Sequence, residues 1–300
     1  MRKTIVIIIL VLLSIGVFYS CSKKDDKTNI NAATNIQATI NQEDFLKYLA
    51  EQKPTNIRKT APYWATVVGA DVFGGCAVVG ALGYFNIACP YCGGAGFFAG
   101  AALGSLAVGI PCPLCPKNNP YAQLTPYNPN TKPDIFSNPS NPYDFVGVMH
   151  NQVMYNVTSN PTIYISSQTN SLNYNLVIQE IASTYASNQN VTSDYFFSIV
   201  PSQKLNNYVT TLNASSAPYN TLVLGLYNSG QIDNFVYTTM TDYYSTITSY
   251  TNYQDIYKYS IGVENKLSLT NANTQDKQLL FSVLSIGRYS AGYWINSLPH

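Results

Sequence analysis

Between Asp71 and Lys117 the chain carries no charged side chain, and the interval is built largely of Gly, Ala and other apolar residues. Two stretches, 72–88 and 93–111, hold most of it. Glycine lowers helix propensity by up to about 1 kcal/mol per residue, so any helix here must be held by packing or by lipid. Small residues recur at helical spacing, as at Gly96, Gly100 and Gly104. That spacing lets two helix backbones approach closely. The run predicts a hairpin of two close-packed helices. Three placements compete for it: buried inside a soluble fold, inserted into a membrane, or without fixed structure. The stretches are 17 and 19 residues long, just under the roughly 20 that cross a bilayer.

Cysteines punctuate this segment: Cys76, then the pairs Cys89/Cys92 and Cys112/Cys115. Two CxxC pairs with 19 residues between them fit the spacing of a zinc ribbon, and four thiolates suit tetrahedral zinc. Residues 89–96 also match, once, the CxxCxGxG repeat of DnaJ-type zinc regions, and CPYC is the glutaredoxin tetrapeptide. Against zinc, ribbons join their knuckles with polar strands. Against redox chemistry, no βαβ setting surrounds the pair. In an oxidising compartment close cysteines end as disulfides, which is the preferred reading; zinc at the CxxC pairs stays open. Apart from Cys21 the chain has five cysteines, an odd number that leaves Cys76 as the one to stay unpaired.

The N-terminus supplies the compartment. Arg2 and Lys3 precede an apolar run over 4–18, followed by Tyr19-Ser20-Cys21. A basic start, an apolar run and a small residue before the cut make a secretory signal peptide. The cysteine after the small residue resembles the lipobox of bacterial lipoproteins, in the looser form of the Bacteroidetes type. That resemblance implies cleavage before Cys21 and a lipid (diacylglycerol, palmitate) on its sulfur. Lys23-Lys24-Asp25-Asp26 resembles the export signal of surface-exposed lipoproteins in the same group, and reads equally as a solvated charge cluster in a tether. The expected location is the outer membrane, facing outward. Removing residues 1–20 leaves 14 basic and 15 acidic residues. That balance lacks the basic stripe nucleic acid requires.

Charged residues make up 10% of the chain while apolar residues reach 46%, and 25 are Tyr. Such a chain has enough apolar surface to fold, and Tyr can bury a ring while its hydroxyl stays wet. An AT-rich coding sequence would give the same Asn, Tyr and Ile bias. Residues 117–142 carry six prolines among Asn and Ser, a pattern that holds no helix and reads as a linker.

Beyond it, helical periodicity appears from Phe145 to Met154, from Leu172 to Tyr185, around 221–227 and over 232–247. The clearest helix starts at Asn273-Thr274-Gln275-Asp276 and runs through Leu279, Leu280, Val283, Leu284, Ala291, Trp294 and Ile295. Strand-like alternation is confined to 162–166. The expected fold class is mainly α: signal peptide 1–20, lipid-anchored tether with a short helix 21–60, Gly/Ala-rich Cys segment 61–116, Pro/Asn linker 117–142, and a domain of six to eight helices over 143–300.

Three phrases stand out: Gly69-Ala70-Asp71, then Tyr143-Asp144-Phe145-Val146-Gly147-Val148-Met149-His150-Asn151, and the ending from Ser285 to Trp294 that reads SIGRYSAGYW. Together they resemble a group of uncharacterised Bacteroidetes proteins with a Gly/Ala-rich segment and a SIxRYSxxYW ending. The resemblance implies no activity. His150, Asn151 and Arg288 are the polar-site candidates. His150 is the usual acid–base type near neutral pH, with Asp144 or Glu180 as carboxylates that could meet it; Arg288 lies among aromatic residues that could stack on it. No nucleophile elbow, phosphate loop or dinucleotide fingerprint occurs, so the chain is expected not to be an enzyme. It is read as a lipid-anchored envelope or surface protein that binds a partner or a second copy of itself. The alternative is a bacteriocin- or toxin-like protein whose glycine-rich hairpin enters membranes.

Overall fold

The two halves of the charge-free run form helices that touch through their backbones. In the computed structural model, which describes residues 39–54, 63–83, 90–109, 125–131, 135–166, 171–214 and 220–297, these are α2 (Tyr63–Leu82) and α3 (Pro90–Gly109). Before them comes α1 (Gln42–Glu51). After them follow α4 (Asp144–Ser159), the single turn α5 (Pro161–Tyr164), α6 (Tyr174–Gln189), α7 (Ser193–Ile199), α8 (Ser202–Ala214), α9 (Asn220–Asn228), α10 (Asn234–Ile247), α11 (Tyr253–Ser268) and α12 (Thr274–Ser297). The fold is mainly α, as the periodicity requires. Among the described residues β pairing is limited to two isolated bridges, Ile40 with Thr270 and Ile165 with Leu172. The alternation over 162–166 therefore yields a helical turn and one bridge in place of a strand.

Gly100 and Gly104 explain how α2 and α3 come so close. A Cβ on Gly100 would run into the Gly74 carbonyl, and one on Gly104 into the Ala70 carbonyl. Neither obstacle is a side chain that could swing away. Both helices are sheathed by other elements, chiefly α4, α8, α9 and α12. Of the 20 residues of α2, 14 are buried, all between Trp64 and Val79. The helix is long and apolar enough to cross a membrane, but here its partners are protein.

The last helix is the axis of this packing. Every residue from Leu279 to Trp294 is buried, which a helix achieves only when it is surrounded on all sides. Its start is fixed by a reciprocal cap: the Asp276 amide donates to Asn273 Oδ1 at 2.8 Å, and Asn273 Nδ2 donates to Asp276 Oδ2 at 2.6 Å.

Residues expected as linker enter the core. Phe136 is fully buried among Tyr127, Tyr253 and Tyr289, and Asn138 and Asn141 are buried beside it. The Thr125 amide donates to the Ser297 carbonyl at 3.0 Å, tying this strip to the end of α12. Prolines stop it from being helical, while its short amides reach acceptors that a helix would have left unmet. Residues 143–300 contain nine helices among the described residues, more than the six to eight expected. At the other end, the Ile40 amide donates to the Leu269 carbonyl and the Asn271 amide to the Ile40 carbonyl, both at 3.0 Å. This stitches the residues before α1 to the loop between α11 and α12.

Candidate functional site

The three phrases singled out in the sequence meet on α12. Asp71 lies on α2 inside the apolar hairpin, with its side chain wholly shielded from solvent. Ser290 Oγ donates to its Oδ2, and His150 Nε2 stands 3.3 Å from the same oxygen. On the far side of the ring, His150 Nδ1 is 3.0 Å from Asn151 Oδ1, and Asn151 Nδ2 donates to the Tyr289 carbonyl at 3.0 Å. That last bond fixes the amide: its nitrogen faces a carbonyl, so its oxygen faces the imidazole and Nδ1 carries the hydrogen. Asp71 Oδ1 and His150 Nε2 make no hydrogen bond of their own, so the contact between the two residues is an ion-pair distance and not a hydrogen bond.

A second network begins two residues before Ser290. Arg288 Nη2 donates to Asp144 Oδ1 and, at 3.1 Å, to Glu264 Oε1. Asp144 also accepts from the Tyr289 hydroxyl at 2.9 Å. Glu264 accepts from Asn138 at 2.5 Å and from Asn141 at 2.8 Å. Burial pushes the Glu264 carboxyl up, while Arg288 and the two amides pull against that. Burial likewise opposes the Arg288 charge, but Glu264 and then Asp144 outweigh it and keep the guanidinium firmly protonated. The guanidinium carbon lies 5.0 Å from the Tyr289 ring centroid.

His150 is thus not served by Asp144 or Glu180, the carboxylates the sequence suggested. Asp144 belongs to Arg288, Glu180 lies elsewhere, and the partner is Asp71. His150, Asn151 and Arg288 are all sealed in the core, where no substrate reaches them; the two networks lock α2, α4, α11 and α12 together. Cys76 is also in the core, a free thiol 3.7 Å from Met240 Sδ, with burial pushing its pKa up. Cys21, Cys89, Cys112 and Cys115 lie outside the described residues, as does the side chain of Cys92.

An accessible polar site lies on the opposite side of α4. A cleft of about 460 Å³ opens between α4 and α6. Gln152 and Asn156, one turn apart on α4, face Glu180, Ser183, Thr184 and Ser187, which share one face of α6. Glu180 is held by three donors: Asn156 Nδ2 at 2.6 Å, the Tyr164 hydroxyl at 2.8 Å and Thr184 Oγ1 at 3.2 Å. Gln152 Nε2 donates to Asn156 Oδ1 at 2.8 Å and completes a rigid chain of side chains. Sequence reading missed this site because its residues are ordinary helix-surface amides and hydroxyls. The one available signal was Gln152, Asn156 and Glu180, Thr184 at i, i+4 on two helices close in sequence.

The chain matches no family model, no curated protein and no solved structure.

Proposed function

We propose that this chain is a lipid-anchored protein of the cell envelope, held by acyl chains on Cys21 at the outer membrane and facing outward, whose work is binding. The observation that carries the binding reading is the contrast between two sets of polar groups. His150 and Arg288, the side chains nearest to acid–base or anion chemistry, are buried in networks that hold helices together. The groups open to solvent form a cleft of amides, hydroxyls and one carboxylate. The anchor rests on the lipobox-like start, and acyl chains contribute roughly 0.8 kcal/mol per buried CH₂. Growth with an alkyne-bearing palmitate tests it. Label is expected in the wild-type chain and absent from Cys21→Ala, which should leave the membrane fraction. An unlabelled wild-type chain would sink the reading.

The membrane-inserting alternative draws on α2, which has the length and apolarity to cross a bilayer. It requires α2 and α3 to leave helices α4 and α12 and carry Asp71 into lipid, where an ionisable group is costly. Dye-loaded vesicles separate the two readings: no leakage is expected from the full chain at neutral pH.

A further inference from the structure

We propose that the α4–α6 cleft binds a short neutral oligosaccharide. The inference rests on the binding role proposed above and names its ligand class.

The lining chemistry selects the ligand. Among the described residues no Lys or Arg lines the cleft, so none of them compensates a phosphate, sulfate or uronate. Its single carboxylate, Glu180, already accepts from Asn156, Tyr164 and Thr184. A cation approaching those oxygens would meet N–H and O–H donors first. What remains is a set of neutral groups without internal partners among the described residues: the Ser183 and Ser187 hydroxyls, the Asn130 side chain and Gln152 Oε1, supplied on an ordered framework. These offer both donors and acceptors, which is the pattern a hydroxyl-bearing ring needs, since each hydroxyl gives one hydrogen bond and takes others. Val148, 39% exposed, adds an apolar patch at the rim for the C–H face of a ring. The volume of about 460 Å³ falls in the range of small-ligand pockets and accommodates two or three sugar units. Hydrolysis is not proposed, because it needs a pair of carboxylates across the bond and the lining supplies one.

Preorganisation supports binding in place of surface wetting. Gln152, Asn156 and Glu180 are fixed by one another before any ligand arrives, so little side-chain entropy is lost on contact.

The test uses the full chain in detergent and calorimetric titration with neutral di- and trisaccharides: chitobiose, maltotriose, cellotriose and mannotriose. At least one is expected to bind, and Ser183→Trp, at an exposed position, is expected to weaken it more than tenfold with the thermal midpoint unchanged. Asn156→Ala, which frees Gln152 and Glu180 from each other, should weaken it about fivefold through lost preorganisation. The proposal is overturned if no neutral saccharide binds, if Ser183→Trp binds as the wild type does, or if a phosphorylated sugar or an Asn-rich peptide binds instead. Those results leave palmitate labelling at Cys21 untouched, so failure of the ligand class and failure of the anchor are separate outcomes.

Discussion

His150 Nε2 and Asp71 Oδ2 face each other at 3.3 Å, from two different helices, with neither side chain exposed to any solvent. The charge-free run of the sequence ends at this carboxylate for a reason. Asp71 is the one carboxylate the described residues of the hairpin contribute to the core, and His150 and Ser290 are the polar groups beside it. Removing one member of such a pair strands the other. Asp71→Leu and His150→Leu are each expected to destabilise the fold by about 3 kcal/mol. The double variant is expected to cost well under their sum, since two apolar groups then meet. Urea unfolding of the four proteins measures the coupling, and additive losses would show that the pair does not act as one unit.

Arg288 answers two carboxylates at once, so its loss is expected to be more severe. Arg288→Met leaves the buried Glu264 and the half-buried Asp144 without their cation, a cost of about 3–5 kcal/mol. A single nitrogen, Nη2, meets both carboxylates; Arg288→Lys keeps the charge on a shorter stem, and is expected to recover less than half of the loss. Thermal unfolding followed by circular dichroism ranks the two.

Gly104 and Gly225 offer a matched pair. At Gly104 a methyl would strike the Ala70 carbonyl, whereas at Gly225, on α9, nothing lies within 4 Å. Gly104→Ala is expected to destabilise by about 1–3 kcal/mol through overpacking. Gly225→Ala is expected to stabilise by up to about 1 kcal/mol through helix propensity. The opposite signs, read as shifts in unfolding midpoint, test whether α2 and α3 pack backbone to backbone.

Asp276 gives the fold a pH dependence with a definite sign. Burial, with Asp233 nearby, raises its carboxyl to about 6, although the Asn273 bond opposes this. A group whose pKa is higher in the fold than in the unfolded chain stabilises most below its unfolded value, near 4, and that stabilisation is lost as pH rises through about 6. Half-exposure screens the effect to about 1 kcal/mol. Asp276→Asn is expected to flatten the slope of unfolding free energy between pH 4 and 7; an unchanged slope would assign it to other groups, Glu264 first.

Cys76 is expected to resist alkylation in the native protein and to react only on unfolding, because the thiol is buried and its pKa raised. Iodoacetamide labelling with and without urea, read by mass spectrometry, checks this. Native labelling would mean that the α2 region opens.

The helices that could be read from the sequence were those whose apolar residues recur without interruption. α4, α6, α10 and α12 carry Val, Leu, Ile and Met at i, i+3, i+4, and all but α4 start at a capping side chain, Asn173, Asp233 and Asn273. α11 escaped because Tyr259 and Ser260 fill buried positions that a hydropathy pattern treats as polar; Ile256, Val263 and Leu267 alone are spaced too widely. α8 is polar along most of its length. The convergence of Asp71, His150 and Ser290 was invisible for a different reason. Each lies on a separate helix, and the pairing depends on which faces meet, a matter of tertiary packing and not of any local pattern. Phe136, Asn138 and Asn141 show the same limit in reverse: proline content correctly excluded helix but said nothing about burial.

In the lipid-anchored chain proposed above, mechanical load enters at Ile40, the first of the described residues hydrogen-bonded into the fold on both its amide and its carbonyl. Drag on the protein is passed through those two bonds to Leu269 and Asn271, and from there to α12. That helix is gripped on all sides along Leu279 to Trp294. The two bonds at Ile40 take the load first, and behind them Phe45 and Leu49 of α1 are fully buried, so α1 does not peel away without opening the core.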